Sequence, residues 1–240
     1  MRMPIILAIE TSSELASAAL LQGDTLLVRE SSGVQTHSQT LLPMVQSVLA
    51  QADLRLSQCA AIAFGAGPGA FTGVRTACGI AQGLAFGANL PVVSIVTLLA
   101  MAEACRAETG KHEVLAVLDA RMGEVYWAQY SYVDGWRTVI EPTLSAVADV
   151  LPQCKDGLVA CGNGFSAYPG EFALQTQIYP WMQQAYAEVM PYAASVARLA
   201  RTAFAAGHIL TAEQAQPIYL RNKIALTTEE RLALKAGAAR

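Results

Sequence analysis

From Phe64 to Arg75 the chain reads F-G-A-G-P-G-A-F-T-G-V-R. A short apolar run, Ala60 to Phe64, leads into this stretch, and a run with almost no charge, Thr72 to Leu90, leaves it. Strand, Gly/Pro-rich turn and helix in that order set backbone N–H groups at a helix N-terminus. Such a turn suits an anion, or a second backbone brought close. It is not a P-loop, which needs a Lys after its last Gly, because Gly73 is followed by Val74. Nor is it a dinucleotide fingerprint: after Gly65, Gly67 and Gly69, no Gly stands where the helix would pack. The geometry of a phosphate loop is present without its usual chemistry.

Working outward, Ile5 to Ile9 is an unbroken apolar run, which predicts a central strand covered on both faces. Ala16 to Leu21 and Thr25 to Glu30 form a hairpin across Gly23-Asp24. Ser38 or Thr40 caps a helix to about Ala52, with Pro43 in its first turn. Strand Ala60 to Phe64, helix Thr72 to Gly87, strand Val92 to Ile95 and helix Thr97 to about Ala107 complete a β-β-β-α-β-α-β-α order. The second half starts again at Val114 to Leu118. A hairpin of Val125 to Tyr132 with Arg137 to Ile140 follows, then a short helix at Ser145 to Leu151 and a strand at Leu158 to Cys161. Pro191 to Ala206 is a helix with Pro at its start and Gly207 just past its end. A β-β-β-α-β-α unit thus occurs twice. The domain reading is a lobe over 1–108, a second over 109–226 with the hinge near Glu108 to Glu113, and a fraying tail over 227–240.

The 240 residues carry a net charge of -3, 53% hydrophobic and 15% charged residues. This composition is far from disorder. The charge argues against a general electrostatic grip, so any contact with nucleic acid is expected to be indirect or weak. The hydrophobic excess points to a partner. Five cysteines without C-x-x-C spacing read as reduced core residues of a cytoplasmic protein. The first ten residues do not make a signal sequence, and no uninterrupted apolar run reaches the ~18 residues of a membrane span.

A duplicated unit with a polar turn after the first strand of each half is the layout of the actin-like and sugar-kinase-like ATPases, an α/β, two-lobed, RNase H-like fold. In that layout two phosphate loops face each other across a cleft. Here they are Glu10-Thr11-Ser12-Ser13 and Asp119-Ala120-Arg121, with Gly162-Asn163-Gly164 as the adenosine loop. The nucleotide-site candidates are therefore Thr11, Ser12, Gly67, Asp119, Arg121, Gly162 and Gly164. Each has a structural alternative: Arg121 pairs with Asp119 or Glu124, and Gly162-Asn163-Gly164 is simply a tight turn. Glu10 stands where these ATPases place an Asp that organises Mg²⁺ through water.

Five segments narrow the resemblance: I-E-T-S-S, T-H-S-Q-T-L-L-P-M-V, G-A-G-P-G-A-F-T-G-V-R, L-D-A-R-M-G-E-V-Y-W-A, and P-I-Y-L-R at Pro217 to Arg221. In this order, over nearly the whole chain, they closely resemble the bacterial TsaB (YeaZ) family. That resemblance implies the dimerisation subunit of the complex that adds threonylcarbamoyl to N6 of the adenosine beside the tRNA anticodon. It implies a catalytic paralogue, TsaD, which this chain activates, and a TsaE-type ATPase as a further partner. It implies no catalytic residues and no cofactor of this chain's own, with ATP or ADP, if held, at the interface with the paralogue. The paralogue's H-x-x-x-H metal pair falls by position on Thr97 and Met101, a poor ligand and a soft one. His37, His112 and His208 have no ligand spacing, so no metal site is expected.

Two helices carry the physical case for a partner. In Thr72 to Gly87 apolar residues cover nearly the whole circumference, which predicts burial on more than one side. Gly79, Gly83 and Gly87 recur every fourth residue, and a mid-helix Gly costs ~1 kcal/mol relative to Ala. Close helix approach is one reason for them; cover by another helix of the same domain is the alternative. The expected interface is His37, Leu41, Leu42, Val45, Leu49, Arg75, Thr76, Gly79, Ile80, Gly83 and Phe86, and alone the chain is expected to form a homodimer through it. For His37 a capping or surface role is the alternative, and for Arg75 a local pairing. Two other functions stay open: a small-molecule or carboxylate kinase of the same architecture, needing tight ATP binding and an acidic base in the cleft, and a peptidase, for which neither a metal cluster nor a nucleophile motif is present.

Overall fold

Two sheets organise the chain. A computed structural model describes residues 3–31, 37–179, 182 and 185–221, so the expected tail at 227–240 lies outside the described residues. The elements are β1 (Ile6–Glu10), β2 (Ala16–Gln22), β3 (Thr25–Ser31), α1 (His37–Gln51), β4 (Ala61–Gly67), α2 (Phe71–Ala88), β5 (Val92–Val96) and α3 (Thr97–Thr109). They continue with β6 (Glu113–Arg121), β7 (Glu124–Tyr132), β8 (Trp136–Ala146), β9 (Leu158–Cys161), α4 (Gly164–Ala167), α5 (Pro169–Ile178) and α6 (Ala193–Ala205). The first sheet has the order β3-β2-β1-β4-β5 and the second β8-β7-β6-β9. β1–β4, β4–β5 and β6–β9 are the parallel pairs.

The unbroken apolar runs became the strands covered on both faces. In β1 and β4, Leu7, Ile9, Ile62 and Phe64 pack beneath α1 and α2. The alternating residues Ile6, Ala8, Ala61 and Ala63 meet α6 on the other face. In β6, Val114, Ala116 and Leu118 pack on α3, while Leu115 and Val117 face Phe165 and Phe172 of α4 and α5. Period-2 alternation thus feeds two cores per sheet.

Three features differ from expectation. The segment from Ser145 does not form a helix, because β8 runs on through Ala146 against β7, and Trp127 Nε1 donates to Ser145 Oγ at 2.9 Å. Only a 3-10 turn, Val147–Asp149, follows. The second copy of the repeat therefore lacks the helix expected between its third and fourth strands. Helix α5 was not anticipated; Phe172 and Gln175 anchor it, and Gln175 Nε2 donates to the carbonyls of Val147 and Ala148. Finally, the division near Glu108 separates the chain but not the packing. α6 lies beyond it yet covers the first sheet, its Ala193 N–H donating to the buried Ser17 Oγ of β2 at 2.9 Å. α3 lies before it yet supplies Leu98, Met101 and Cys105 to the core of the second.

Candidate functional site

Parallel strands gather their C-terminal loops on one side, where α/β folds place ligands. Here the loops after β1 and β4 face those after β6 and β9 across a cleft of about 350 Å³. Ser12, Ser13, Asp119, Arg121, Asn163 and Tyr219 are among its walls. The structure therefore brings the sequence-derived nucleotide candidates to one region, but it commits their polar groups elsewhere.

On the first lobe, Thr11 and Ser12 are buried. Thr11 Oγ1 donates to the Gly73 carbonyl (2.8 Å), and Ala70 N–H donates to the Ser12 carbonyl (2.7 Å). Thr97 Oγ1 donates to Ser12 Oγ (3.1 Å) and accepts from Gly67 N–H (3.1 Å). The glycine-rich turn took the second of its two options: it admits a backbone. A Cβ added to Gly69 would lie 2.7 Å from Ser12 Cβ, and one added to Gly73 would overlap the Thr11 carbonyl. Gly67, at φ +104°, follows the same logic against the Ile218 carbonyl. Thr11, Ser12 and Gly67 thus join β1, α2 and α3 through these bonds. Thr97 and Met101 are both fully buried, and Met101 lies beneath Gly162.

Glu10 is enclosed at the end of β1. Its Oε1 accepts from Ser12 N–H (2.5 Å), while Oε2 lies against Gly65 without a hydrogen-bond partner. Burial raises its pKa, with the bonds from Ser12 and Thr11 opposing. A carboxyl so enclosed does not reach a metal-bound water in the cleft.

On the second lobe, Asp119 is engaged by its neighbours. It accepts from Arg121 N–H (2.7 Å) and from Tyr168 Oη (2.9 Å), and pairs with Arg121 Nη1 at 3.0 Å. Arg121, its side chain 82% exposed, thus made the Asp119 pairing and not the one with Glu124. Burial, then the Asp119 bond and charge, raise the Tyr168 phenol. Asn163 Oδ1 accepts from Asp119 N–H (2.9 Å), and its Nδ2 donates to Glu14 (3.2 Å). Gly162 and Gly164 are glycines because β6 passes over them: a Cβ on Gly164 would lie 2.6 Å from Val117 Cγ1. Between them, Arg121 and Met122 hold left-handed φ values of 63° and 60° at the β6–β7 turn, a conformation costing roughly 1–2 kcal/mol per non-Gly residue.

The expected interface divides in two. Leu41 and Val45 are core residues and cannot meet a partner, because the i, i+4 stripe of α1 that contains them faces the first sheet. Leu49 and Ile80 are half-buried at its margin. The other side is open. On α2, Arg75, Gly79, Gly83, Phe86 and Gly87 are exposed, Phe86 by 76%; on α1, Leu42 is 42% exposed. The predicted burial of α2 on more than one side is therefore not met among the described residues. Among the described residues, nothing lies within 4 Å of a Cβ built on Gly79, Gly83 or Gly87, so no packing there requires those glycines. Thr76 is half-buried and spends its hydroxyl on the Thr72 carbonyl. His37 Nε2 lies 3.3 Å from the Glu14 carbonyl at the start of α1. Arg75 sits over the Phe71 ring, 3.6 Å from its centroid, and donates to Tyr219 Oη at 2.7 Å. Phe71, Tyr168 and Tyr219 were missed from sequence, where no spacing ties residue 75 to 219. Among the described residues, no three His, Cys, Asp or Glu side chains converge as a metal site.

Comparisons with known proteins agree on one relationship. The model of the family described as TsaD, tRNA N6-adenosine threonylcarbamoyltransferase, matches residues 28–228. The tRNA threonylcarbamoyladenosine biosynthesis protein TsaB of Escherichia coli (strain K12) is 37% identical, over 92% of this chain and 96% of that one. The protein of the same description from Haemophilus influenzae is 36% identical, over 91% and 94%. Among solved structures, YeaZ from Pseudomonas aeruginosa superposes with a TM-score of 0.81 at 36% identity, covering 91% of this chain and all of that one. The two-lobed, actin-like α/β fold expected from sequence is the fold of this chain.

Proposed function

The chain belongs to the TsaB (YeaZ) family of tRNA threonylcarbamoyladenosine biosynthesis proteins, and from that premise we propose that it is a non-catalytic subunit that docks on and activates a TsaD-type catalytic paralogue. The observation that carries this reading is the open face of α2. Three exposed glycines in i, i+4 register beside a 76% exposed Phe86 and the 42% exposed Leu42 make an apolar groove into which another helix fits. Left in water such a face costs about 25 cal/mol per Å², so the same groove holds two copies of this chain together when the paralogue is absent. The committed state of the cleft supports a non-catalytic role: Thr11, Ser12, Gly67 and Asp119 already satisfy one another or nearby groups. On this reading the chain holds no nucleotide of its own, and any ATP or ADP belongs to the paralogue or its junction with this chain. A TsaE-type ATPase joins the same assembly.

An activator acts only by contacting the active state of its partner better than the inactive one. Arg75, held at the edge of the groove by Phe71 and Tyr219, is the candidate for that contact. The test is reconstitution. The purified chain, mixed with its paralogue, should co-elute with it and raise threonylcarbamoyl transfer to tRNA. Gly83→Arg should remain folded and lose both properties, because a buried unpaired charge costs several kcal/mol. A full rate from the paralogue alone would refute the activator reading.

A further inference from the structure

The last described residues, Ala215–Arg221, leave the first lobe and end on the second. The Ala215 carbonyl accepts from Cys78 Sγ (3.4 Å) and Gln82 Nε2 (2.9 Å) on α2. Ile218 N–H donates to the Ala66 carbonyl of β4 at 2.7 Å, and the Ile218 side chain packs on the first core. Tyr219 Oη accepts from Arg75, and its ring lies 5.9 Å from that of Phe71. At the next residue the allegiance changes. Leu220 packs on the core of the second sheet. Arg221 Nη2 donates to Glu124 Oε2 of β7 (2.5 Å) and to the Arg121 carbonyl (3.4 Å), with Met122 Sδ 3.4 Å from Nη1. Ile218, Tyr219, Leu220 and Arg221 all line the cleft.

We propose that Ala215–Arg221 is an interlobe strap, which fixes the opening of the cleft by tying α2 and β4 to the β6–β7 turn. Beyond the helix packing of α3 and α6, this segment ties the two lobes directly across the mouth of the cleft. The strap supplies a backbone hydrogen bond at one end and a charge-assisted one at the other. The Arg221 contact also braces the turn whose two left-handed non-Gly residues would otherwise be free to relax. The strap does not depend on which partner docks on α2, because each contact lies within this chain.

The test uses the full chain alone. Cys154 is the exposed cysteine, and with Gln46→Cys on the exposed side of α1 it gives one spin label per lobe. Diluted into an excess of unlabelled chain, so that only distances within one subunit are read, the starting protein should show one narrow inter-label distance. Tyr219→Ala/Arg221→Ala should broaden or lengthen it at an unchanged far-ultraviolet spectrum, and the Ile218 amide should exchange about tenfold faster, as for loss of one net hydrogen bond. The charge swap Glu124→Arg/Arg221→Glu should restore the narrow distance relative to Arg221→Ala. If the double variant unfolds, Arg221→Ala alone gives the same reading, since it removes no core residue. An unchanged distance and unchanged Ile218 exchange in the folded strap variant would overturn the proposal.

Discussion

Replacing Gly73 and Gly83 by Ala, one at a time, should move stability in opposite directions, although both lie on α2. Local physics is the same at each: Ala in place of a helical Gly gains roughly 0.5–1 kcal/mol. Tertiary surroundings differ. At Gly83 nothing lies within 4 Å of the new Cβ, so the gain is realised. At Gly73 the new Cβ overlaps the Thr11 carbonyl oxygen and lies 3.0 Å from its carbon and 3.4 Å from Ser12 Cα, all backbone atoms. The end of β1 and the first turn of α2 must part by about 1.5 Å to reach ordinary contact. Overpacking of this kind costs about 1–3 kcal/mol. The displacement also breaks the Thr11 Oγ1 bond to the Gly73 carbonyl, worth a net ~1 kcal/mol. Gly73→Ala should therefore lose about 1–3 kcal/mol and Gly83→Ala gain up to about 1 kcal/mol, each read by urea unfolding at protein concentrations low enough to hold the monomer. Gly83→Ala carries a second signature: it should weaken self-association and capture of the paralogue while stabilising the monomer, because its methyl fills the groove. A neutral or stabilising Gly73→Ala would refute the close backbone approach. A Gly83→Ala variant that associates as well as the parent would refute the groove.

Phe86→Asp should abolish dimerisation in sedimentation experiments without lowering the monomer's unfolding midpoint, since the ring is 76% exposed; an unchanged dimer would place the interface elsewhere. Burial raises the Glu10 pKa above its ordinary 4.5. Its protonated form is thus favoured in the folded state, and that stability is present below the unfolded value and lost as pH rises through the folded one. Glu10→Gln, which keeps an oxygen for Ser12 N–H, should gain stability relative to the parent across that rise, and parallel stability–pH curves would sink the argument. Under native conditions a thiol reagent should modify only Cys154, the other four cysteines being buried and the Cys59 thiol pushed up to about 11 by desolvation; five equivalents before unfolding would contradict this.

Local sequence was enough to determine the strands, most of the helices and where their loops gather. Unbroken apolar runs at Ile5–Ile9, Ala60–Phe64 and Val114–Leu118 became β1, β4 and β6, because a strand covered on both faces has no polar position to show. Gly23-Asp24 set the first hairpin, and the turns after β1 and β6 fell on opposite walls of one cleft. Helix periodicity also marked α1 and α2 as apolar beyond one stripe, but could not say which side met the sheet. Leu41 and Val45 went inward while Leu42 and Phe86 stayed out, a choice made by the path of the chain. The tertiary structure alone decided that the glycine-rich turn receives the Thr11–Ser12 backbone, since backbone approach and anion binding demand the same absent side chains. It alone assigned α3 to the second sheet and α6 to the first. It alone joined Arg75 to Tyr219 and Glu124 to Arg221, pairs separated by 144 and 97 residues. Spacing in a sequence reports which residues share a face of one element; contacts between elements far apart in the chain are fixed only when every core has chosen its cover.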